Sequence, residues 1–331
     1  MAKKISLFLV VAILLFISII ILKLAFLGKK VNIEKCKSYL LTSQHKKNIK
    51  LTFLGTSCFI IEYKDKQFVS DAFFSNPNIP NVISGNMKHV ALSTMISDSL
   101  FSNVSMTTVS HGHYDHCFDM QQILKPATTI VADSSVFKQM NLITKNNKKQ
   151  YPLDFSPNTQ WIYSYDSAFR VFPILSKHGP HFGKTVLFKG SYEKPLDELP
   201  NKLWQWKLGK GNYSYLVDVL DGDSIVFRMA FLYGDISESE YTKIKSIYSK
   251  QRCDVMTSVF WKKKQNEPQL KLAKEHTNAD IILLNHWNNF FKSNDKPLQQ
   301  LRSSKLEKEL KEFQQEKMPV YIMLPFTSVD L

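Results

Sequence analysis

Three histidines and one aspartate fall within six residues of this sequence, at His111, His113, Asp115 and His116. They follow the strand-like run Met106–Val109, so the sequence predicts a loop of metal-binding side chains at the end of a strand. Imidazole nitrogen suits Zn²⁺ and Fe, and a carboxylate adds a hard, charged oxygen. A loop this short does not wrap four ligands around one ion. We therefore expect the ligands to divide between two ions, with His111 and His113 at one and Asp115 and His116 at the other.

Each ion then needs further ligands, and three later groups of donors follow strand-like runs. These groups are His178 and His181 after Ala168–Leu175, Asp235 after Ile225–Tyr233, and His286 after Asp280–Asn285. Loops at strand ends converge over the edge of a sheet, where a rigid scaffold holds side chains in place. We expect these donors to complete the site.

The residues alone leave several roles open. His178 comes first after its strand and is the preferred ligand, whereas His181 is a candidate acid for the leaving group, an anion contact, or a turn residue beside Pro180. Asp235 could be an ordinary turn residue or the cap of a following helix. His286 could be a histidine satisfied within the core.

The order of these motifs resembles the metallo-β-lactamase-fold superfamily of metal-dependent hydrolases. The resemblance covers roughly residues 50 to 290. It begins with the L-T-F-L-G-T-S segment, with Asp71 ending the third strand, and continues through H-x-H-x-D-H, a single histidine, a Gly-Asp pair and a last histidine. It implies an α/β fold of four layers, αββα, in which two layers of helix enclose two sheets and the active site lies at one edge.

The resemblance also implies a ligand set and a reaction. The first ion would be bound by His111, His113 and His178, the second by Asp115, His116 and His286, and Asp235 would bridge both. The cofactors would be two divalent metal ions, Zn²⁺ first, with Fe or Mn as alternatives. A hydroxide held between the ions would attack an ester, a phosphodiester or a related bond, with Asp115 orienting it. A water or a nearby acid would protonate the leaving group, and His181 is a candidate for that acid or for an anion contact.

The amino terminus carries an uncharged apolar run, Ile5–Leu22, long enough to span most of a hydrocarbon core of about 30 Å. Lys23 interrupts the run, which resumes through Leu27. We expect residues 1–28 to form a retained signal-anchor helix; a cleaved signal peptide is the competing interpretation, but no A-x-A-like site follows. Lysines flank the run on both sides, so charge does not decide orientation, and we expect the domain to lie outside the cytoplasm. Residues 29–47 are predicted to be a polar tether, and residues 48–331 the hydrolase domain.

The rest of the chain is rich in strand-like runs. Lys50–Phe74 is predicted to form a meander broken at Gly55 and at Lys64. An apolar stripe predicts a helix over Lys296–Glu316. Further strands are predicted at Met106–Val109, Thr128–Ala132, Ala168–Leu175, Tyr213–Val219, Ile225–Tyr233, Val255–Phe260, Asp280–Asn285 and Val320–Leu324.

The composition of the chain limits the kinds of partner that we expect. The net charge is +14 and the pI is near 9.4, and residues 1–30 supply only five of the 43 basic residues. A basic domain favours anionic neighbours: a small-molecule or lipid-like anionic substrate, the membrane surface, or nucleic acid. Four cysteines without a C-x-x-C pair exclude a disulfide scaffold and a zinc ribbon.

Two other functions compete with the membrane-anchored hydrolase. A di-iron redox protein would use the same ligands, although such proteins usually carry a flavin-binding domain that this sequence lacks. A non-catalytic, membrane-tethered binding protein could keep the fold without the reaction, although the complete ligand set argues against it.

Overall fold

The computed structural model describes residues 10–16, 18, 28–90, 98–142, 150–154, 160–181, 184–260, 263–301 and 305–331, and for 98–99 and 263–269 the backbone alone. The predicted anchor over residues 1–28 therefore lies mostly outside the described residues. Within the described ranges, no helix combines the length and the apolar character needed to cross a bilayer.

Seven strands occupy the first half of the chain, and Gly55 and Lys64 turn the chain between three of them. Gly55 has φ +115° and Lys64 has φ +54°, in the left-handed region that tight turns use. The predicted meander is thus confirmed. The strands are β1 (Lys29–Lys30), β2 (Ile49–Gly55), β3 (Cys58–Tyr63), β4 (Lys66–Ser70), β5 (Val104–Thr108), β6 (Thr129–Asp133) and β7 (Gln150–Leu153).

The second half of the chain contains the remaining strands, and each predicted run coincides with one of them. They are β8 (Ile162–Tyr163), β9 (Phe169–Lys177), β10 (Asn212–Asp221), β11 (Ser224–Leu232), β12 (Asp235–Ile236), β13 (Val255–Val259), β14 (Ile281–Asn285), β15 (Gln299–Gln300), β16 (Val320–Tyr321) and β17 (Thr327–Asp330).

The strands form two large sheets and one short ribbon. The first sheet has the order β17-β2-β3-β4-β5-β6-β7. The second has the order β12-β9-β10-β11-β13-β14-β16, with β8 added beside β9. The ribbon pairs β1 with β15 in antiparallel fashion.

Helices connect the strands and cover the sheets. They are α1 (Ile33–Cys36), α2 (Ile79–Ser84), α3 (Tyr114–Cys117), α4 (Met120–Ile123), α5 (Ser134–Gln139), α6 (Glu238–Tyr248), α7 (Lys263–Thr277) and α8 (Leu306–Gln315), with 3₁₀ turns at Lys37–Tyr39, Asp98–Phe101 and Leu203–Gln205.

The two sheets pack face to face through aromatic side chains. The ring of Phe68 in β4 lies 6.0 Å from that of Phe169 in β9 and 5.7 Å from that of Phe231 in β11. The other face of the first sheet packs on α2 to α5, and the second sheet packs on α6, α7 and α8. The α/β class and the layered order are therefore those that the resemblance implies.

Strand direction places the donor-bearing loops at one edge of the second sheet. β10 is antiparallel to both β9 and β11, and β11, β13 and β14 are parallel, so β9, β11 and β14 point the same way. Tyr215 of β10 donates its hydroxyl to Val109 O at 2.8 Å, and the Tyr213 amide donates to Ser110 O at 2.9 Å. These bonds attach the end of β5 to the same edge.

The carboxyl-terminal helix is shorter than predicted. Helix α8 begins at Leu306, and Gln299–Gln300 is a strand instead of the start of the helix. Leu301 is buried and Leu298 packs against the core, although neither lies in a helix. Their apolar side chains therefore reflect packing of an irregular segment and not helical periodicity. The prediction was right for the stripe from Leu306 to Phe313 and wrong before it.

The segment expected as a tether is packed against the domain. Residues 29–47 hold β1 and α1, and Val31, Cys36 and Leu41 are buried in the main core. The Leu41 amide also donates to Ile322 O at 3.0 Å. The chain therefore leaves the domain close to residue 28.

Candidate metal centre

The histidine-rich loop after β5 is held by close backbone contacts. The Gly112 amide donates to Leu208 O at 2.8 Å, and the Gln139 side chain donates to Gly112 O at 2.6 Å. A Cβ on Gly112 would lie 2.3 Å from Lys207 O, so only glycine fits at this position. The loop then enters α3 with His113 as the preceding residue.

The structure brings six of the predicted ligands into two sets of three. Within each set, the ligand atoms lie within 4.8 Å of one another. The sets are His111, His113 and His178, and Asp115, His116 and His286. Five of the six side chains are buried, and His178 is partly exposed. These are the groupings that the resemblance implies.

The second set has the dimensions of a metal site. His286 Nε2 lies 3.2 Å from Asp115 Oδ2 and 3.3 Å from His116 Nε2, and the last two atoms are 3.6 Å apart. The point equidistant from the corners of such a triangle lies about 2.0 Å from each corner, which matches zinc–nitrogen and zinc–oxygen bond lengths. The donors therefore fit a divalent cation.

Asp71 and Ser110 orient His116. Asp71 Oδ2 lies 2.7 Å from His116 Nδ1 and accepts from the Ser110 hydroxyl at 2.8 Å, while Asp71 Oδ1 accepts from the Ser110 amide at 2.7 Å. A proton held on Nδ1 leaves the lone pair of Nε2 directed at the second set. The sequence placed Asp71 at a strand end without giving it this role.

Electrostatics keep the first set neutral and the second set's carboxylate charged. Burial, reinforced by neighbouring imidazoles, lowers the pKa of His111 and His178 well below the usual value and lowers that of His113 to about 3. Burial alone would raise the pKa of Asp115, but the imidazoles around it, His116 first, hold that pKa below its usual value. Neutral imidazoles and an ionised carboxylate are the protonation states that metal binding requires.

His116 differs from the other histidines. Burial lowers its pKa, but the carboxylates of Asp71 and Asp115 outweigh burial and leave the pKa above its usual value. A cation bound at Nε2 would replace the proton that these carboxylates favour.

His178 and His181 stack, with ring centroids 4.9 Å apart, yet present different nitrogens. His178 Nδ1 lies 2.5 Å from Gly179 O, so this nitrogen carries the proton and Nε2 can bind a cation. His181 Nδ1 accepts from the Leu187 amide at 3.0 Å, so a neutral His181 carries its proton on Nε2. This geometry favours His178 as the ligand and His181 as a hydrogen-bond donor.

Asp235 lies on the wall of the cavity but in neither set of donors. Its side chain is exposed at the start of β12, beside Gly234. Its predicted bridging role stays a prediction.

Both sets open onto one cavity of about 320 Å³. Its lining includes His111, His116, His178 and His286. Other lining residues were not predicted from the sequence, although Tyr233 directly precedes the Gly-Asp pair and Ser258 lies near the end of β13. These residues are Leu232, Tyr233, Tyr241, Ser258, Val259 and Ala273.

A contact with the turn between β2 and β3 fixes the backbone at His286. It adopts φ +60°, and its amide donates to Thr56 O at 2.6 Å. The adjacent Trp287 is fully buried and Phe290 packs against the His286 ring at 4.8 Å, so these aromatic side chains form a packed wall.

The sequence matches no protein-family model and no curated protein sequence. Similar solved structures include the metallo hydrolase Igni18 from Ignicoccus hospitalis, with 16% identity, 85% of this chain and 97% of that chain covered, and a TM-score of 0.52. An isothiocyanate hydrolase from Delia radicum gut bacteria is 12% identical over 85% of this chain and 98% of its own, with a TM-score of 0.50.

A third similar structure is CmlA, a diiron β-hydroxylase from Streptomyces venezuelae. It is 8% identical, with a TM-score of 0.50, and the match covers 86% of this chain but 55% of CmlA. Identities this low show the fold and nothing finer. The chain has the fold that these three structures share, the metallo-β-lactamase fold that its motifs predict.

Proposed function

We propose that this chain is a dinuclear metal-dependent hydrolase acting on an ester, a phosphodiester or a related bond. The observation that carries the proposal is the presence of two sets of three donors on one cavity. Two divalent ions held there, Zn²⁺ first and Fe or Mn as alternatives, would lower the pKa of water towards about 7 and polarise a substrate oxygen.

The residues divide the remaining work. Asp115, ionised and buried beside His116 and His286, would orient the attacking water. Asp235 would bridge the ions from the cavity wall. His181, with its proton on Nε2, would donate a hydrogen bond to the anionic oxygen or to the leaving group.

The substrate that we propose is a phosphodiester or phospholipid-type anion. The cavity lining combines imidazoles with apolar residues such as Leu232 and Val259, which suits a molecule with a polar centre and an apolar arm. The net charge of +14 attracts such anions.

We also propose that the apolar run Ile5–Leu22 anchors the chain to a membrane, with the domain outside the cytoplasm. This rests on the length and composition of the run and on the absence of a cleavage motif after it. Protease protection of the domain in sealed membrane vesicles tests the orientation.

The experiment is a screen of the purified full chain against a nitrophenyl phosphodiester, a lactone and a thioester, with and without chelator. We expect hydrolysis of at least one substrate, loss on chelation and recovery with Zn²⁺. Asp115→Asn should reduce the rate at least about 100-fold, whereas the exposed turn variant Asp223→Asn should not. Full activity of Asp115→Asn, or activity unaffected by chelator, would refute the proposal.

A second candidate is di-iron redox chemistry on the same ligands. The structural similarity to the diiron β-hydroxylase CmlA favours it, although that similarity shows the fold alone. Metal analysis separates the two functions: bound iron with a visible absorption band would support the redox protein, and colourless zinc protein with hydrolytic activity would support the hydrolase.

A further inference from the structure

Six lysines surround an open cleft between the amino-terminal segment and α8. The cleft measures about 530 Å³, and Glu307 is the one acidic residue in its lining. We call this surface the lysine face. It consists of Lys29, Lys30, Lys35, Lys305, Lys308 and Lys311.

The positive charge of this face is only partly neutralised. Glu307 lies 3.7 Å from Lys35 and 3.2 Å from Lys311, and Glu312 lies 3.6 Å from Lys308, so two carboxylates serve three of the six ammonium groups. Exposed pairs of this kind contribute little stability and leave the surrounding potential positive. Lys29, Lys30 and Lys305 make no ion pair with any residue that the structure describes. The face is therefore suited to bind anions.

The face lies where the chain enters the domain from the apolar run. Lys29 pairs with Gln300 across the ribbon of β1 and β15. A Cβ on Gly28 would lie 2.3 Å from the Asn289 side chain, so residue 28 is already packed against the domain. Two peptide units separate Leu27 from Lys29, so the distance between their Cα atoms is at most about 8 Å. The apolar run therefore joins the lysine face without an intervening linker.

We propose that the lysine face binds the anionic phospholipid headgroups of the bilayer that anchors residues 5–27, and so holds the domain in one orientation on the membrane. Each lysine near an anionic leaflet strengthens association about fivefold, and the attraction decays within about 10 Å. The proposal rests on the proposed membrane anchor and is independent of the hydrolase activity.

The test uses the full chain in nanodiscs of phosphatidylcholine alone or with about one-third phosphatidylglycerol. Amine-reactive labelling, read by mass spectrometry, reports the exposure of each lysine. We expect Lys29, Lys30 and Lys305 to label at least about fivefold more slowly in the anionic nanodiscs, and to lose this protection in about 1 M salt. The exposed Lys194 and Lys245 should label equally in both.

Matched variants separate local binding from overall charge. Replacing Lys29, Lys30 and Lys305 together by glutamine should abolish the protection of Lys308, which remains as the reporter. The control is the same triple change at exposed lysines on other elements, which should leave Lys308 protected. The control positions are Lys194, Lys245 and Lys250.

Three results would overturn the proposal. They are equal labelling in the two lipid compositions, equal protection in detergent by inorganic phosphate or a short DNA duplex, and failure of the chain to enter nanodiscs of either composition. Hydrolysis of a soluble phosphodiester is measured in the same samples. Its absence would refute the hydrolase proposal and leave the lysine face unaffected.

Discussion

At the scale of single residues, Asp71 controls which nitrogen of His116 faces the second set of donors. Its two carboxylate oxygens accept from His116 Nδ1, the Ser110 hydroxyl and the Ser110 amide, all buried. Asp71 itself adopts φ +39°, a conformation that is costly for a residue other than glycine. The structure tolerates this strain where one carboxylate organises two neighbours.

Replacing Asp71 by Asn should therefore weaken metal binding while leaving most of the fold intact. An amide nitrogen cannot accept a hydrogen bond, so one buried donor, on Ser110 or His116, loses its acceptor. Loss of such a supporting group costs about 10- to 100-fold in metal affinity and about 1–3 kcal/mol in stability. Competition with a chromophoric chelator measures the affinity. Unchanged affinity, equal to that of Asp223→Asn, would show that Asp71 does not orient His116.

His181 should matter for turnover more than for metal content. Its Nδ1 is occupied by the Leu187 amide, so the ring acts through Nε2–H. His181→Gln should lower kcat about 10- to 100-fold, as expected when a hydrogen bond to a charged group is lost, and retain both metals. His178→Gln should instead lose metal. The reverse pattern of metal loss would exchange the two assignments.

The metal-free protein should lose stability in mild acid. Burial, with the neighbouring imidazoles, lowers the pKa of His113 from 6.5 to about 3. The unfolded chain therefore binds a proton below pH 6.5 that the folded chain does not bind, and the free energy of unfolding falls as the pH drops. Between pH 6.5 and 4.5 this contributes about 2–3 kcal/mol.

Denaturant unfolding of the chelated protein and of His113→Gln measures this contribution. Over the same pH interval, the free energy of unfolding should fall by about 2–3 kcal/mol less in the variant than in the unaltered chain. Equal losses would show that His113 is not held neutral by its surroundings.

At the scale of elements, the loop after β5 depends on Gly112. A methyl group there would meet Lys207 O, which belongs to the backbone and cannot move alone. Gly112→Ala should destabilise the protein by about 1–3 kcal/mol and reduce metal content. Gly222→Ala carries backbone strain at φ +58° but meets no atom within 4 Å, so it should keep its metals. Full metal content in Gly112→Ala would contradict this requirement.

Sequence patterns predicted elements best where periodicity and function coincide. The strands predicted before His111, His178, Asp235 and His286 each have a candidate ligand shortly after them, and the structure has all four strands. Leu298 misled the helix prediction because apolar side chains in irregular segments also reach the core. The packing of residues 29–47 was not predictable, since it depends on partners such as Ile322 that lie far away in sequence.

At the scale of the whole molecule, the candidate site exists because loops from both sheets bring their donors together. The order of strands sends β9, β11 and β14 in one direction, and Tyr215 ties β5 to them. Motif order predicted this convergence. The presence of Tyr241 and Ala273 in the cavity lining could not be predicted, because α6 and α7 bring these residues to the cavity through tertiary packing alone.

The central claim is that His111, His113 and His178 hold one divalent cation and Asp115, His116 and His286 hold another. Anomalous diffraction at the zinc edge from crystals of the zinc-loaded protein tests it most directly. We expect two peaks, one inside each set of donors, with the second about 2.0 Å from its three ligand atoms. Anomalous density elsewhere in the protein, or none at these six side chains, would contradict the account.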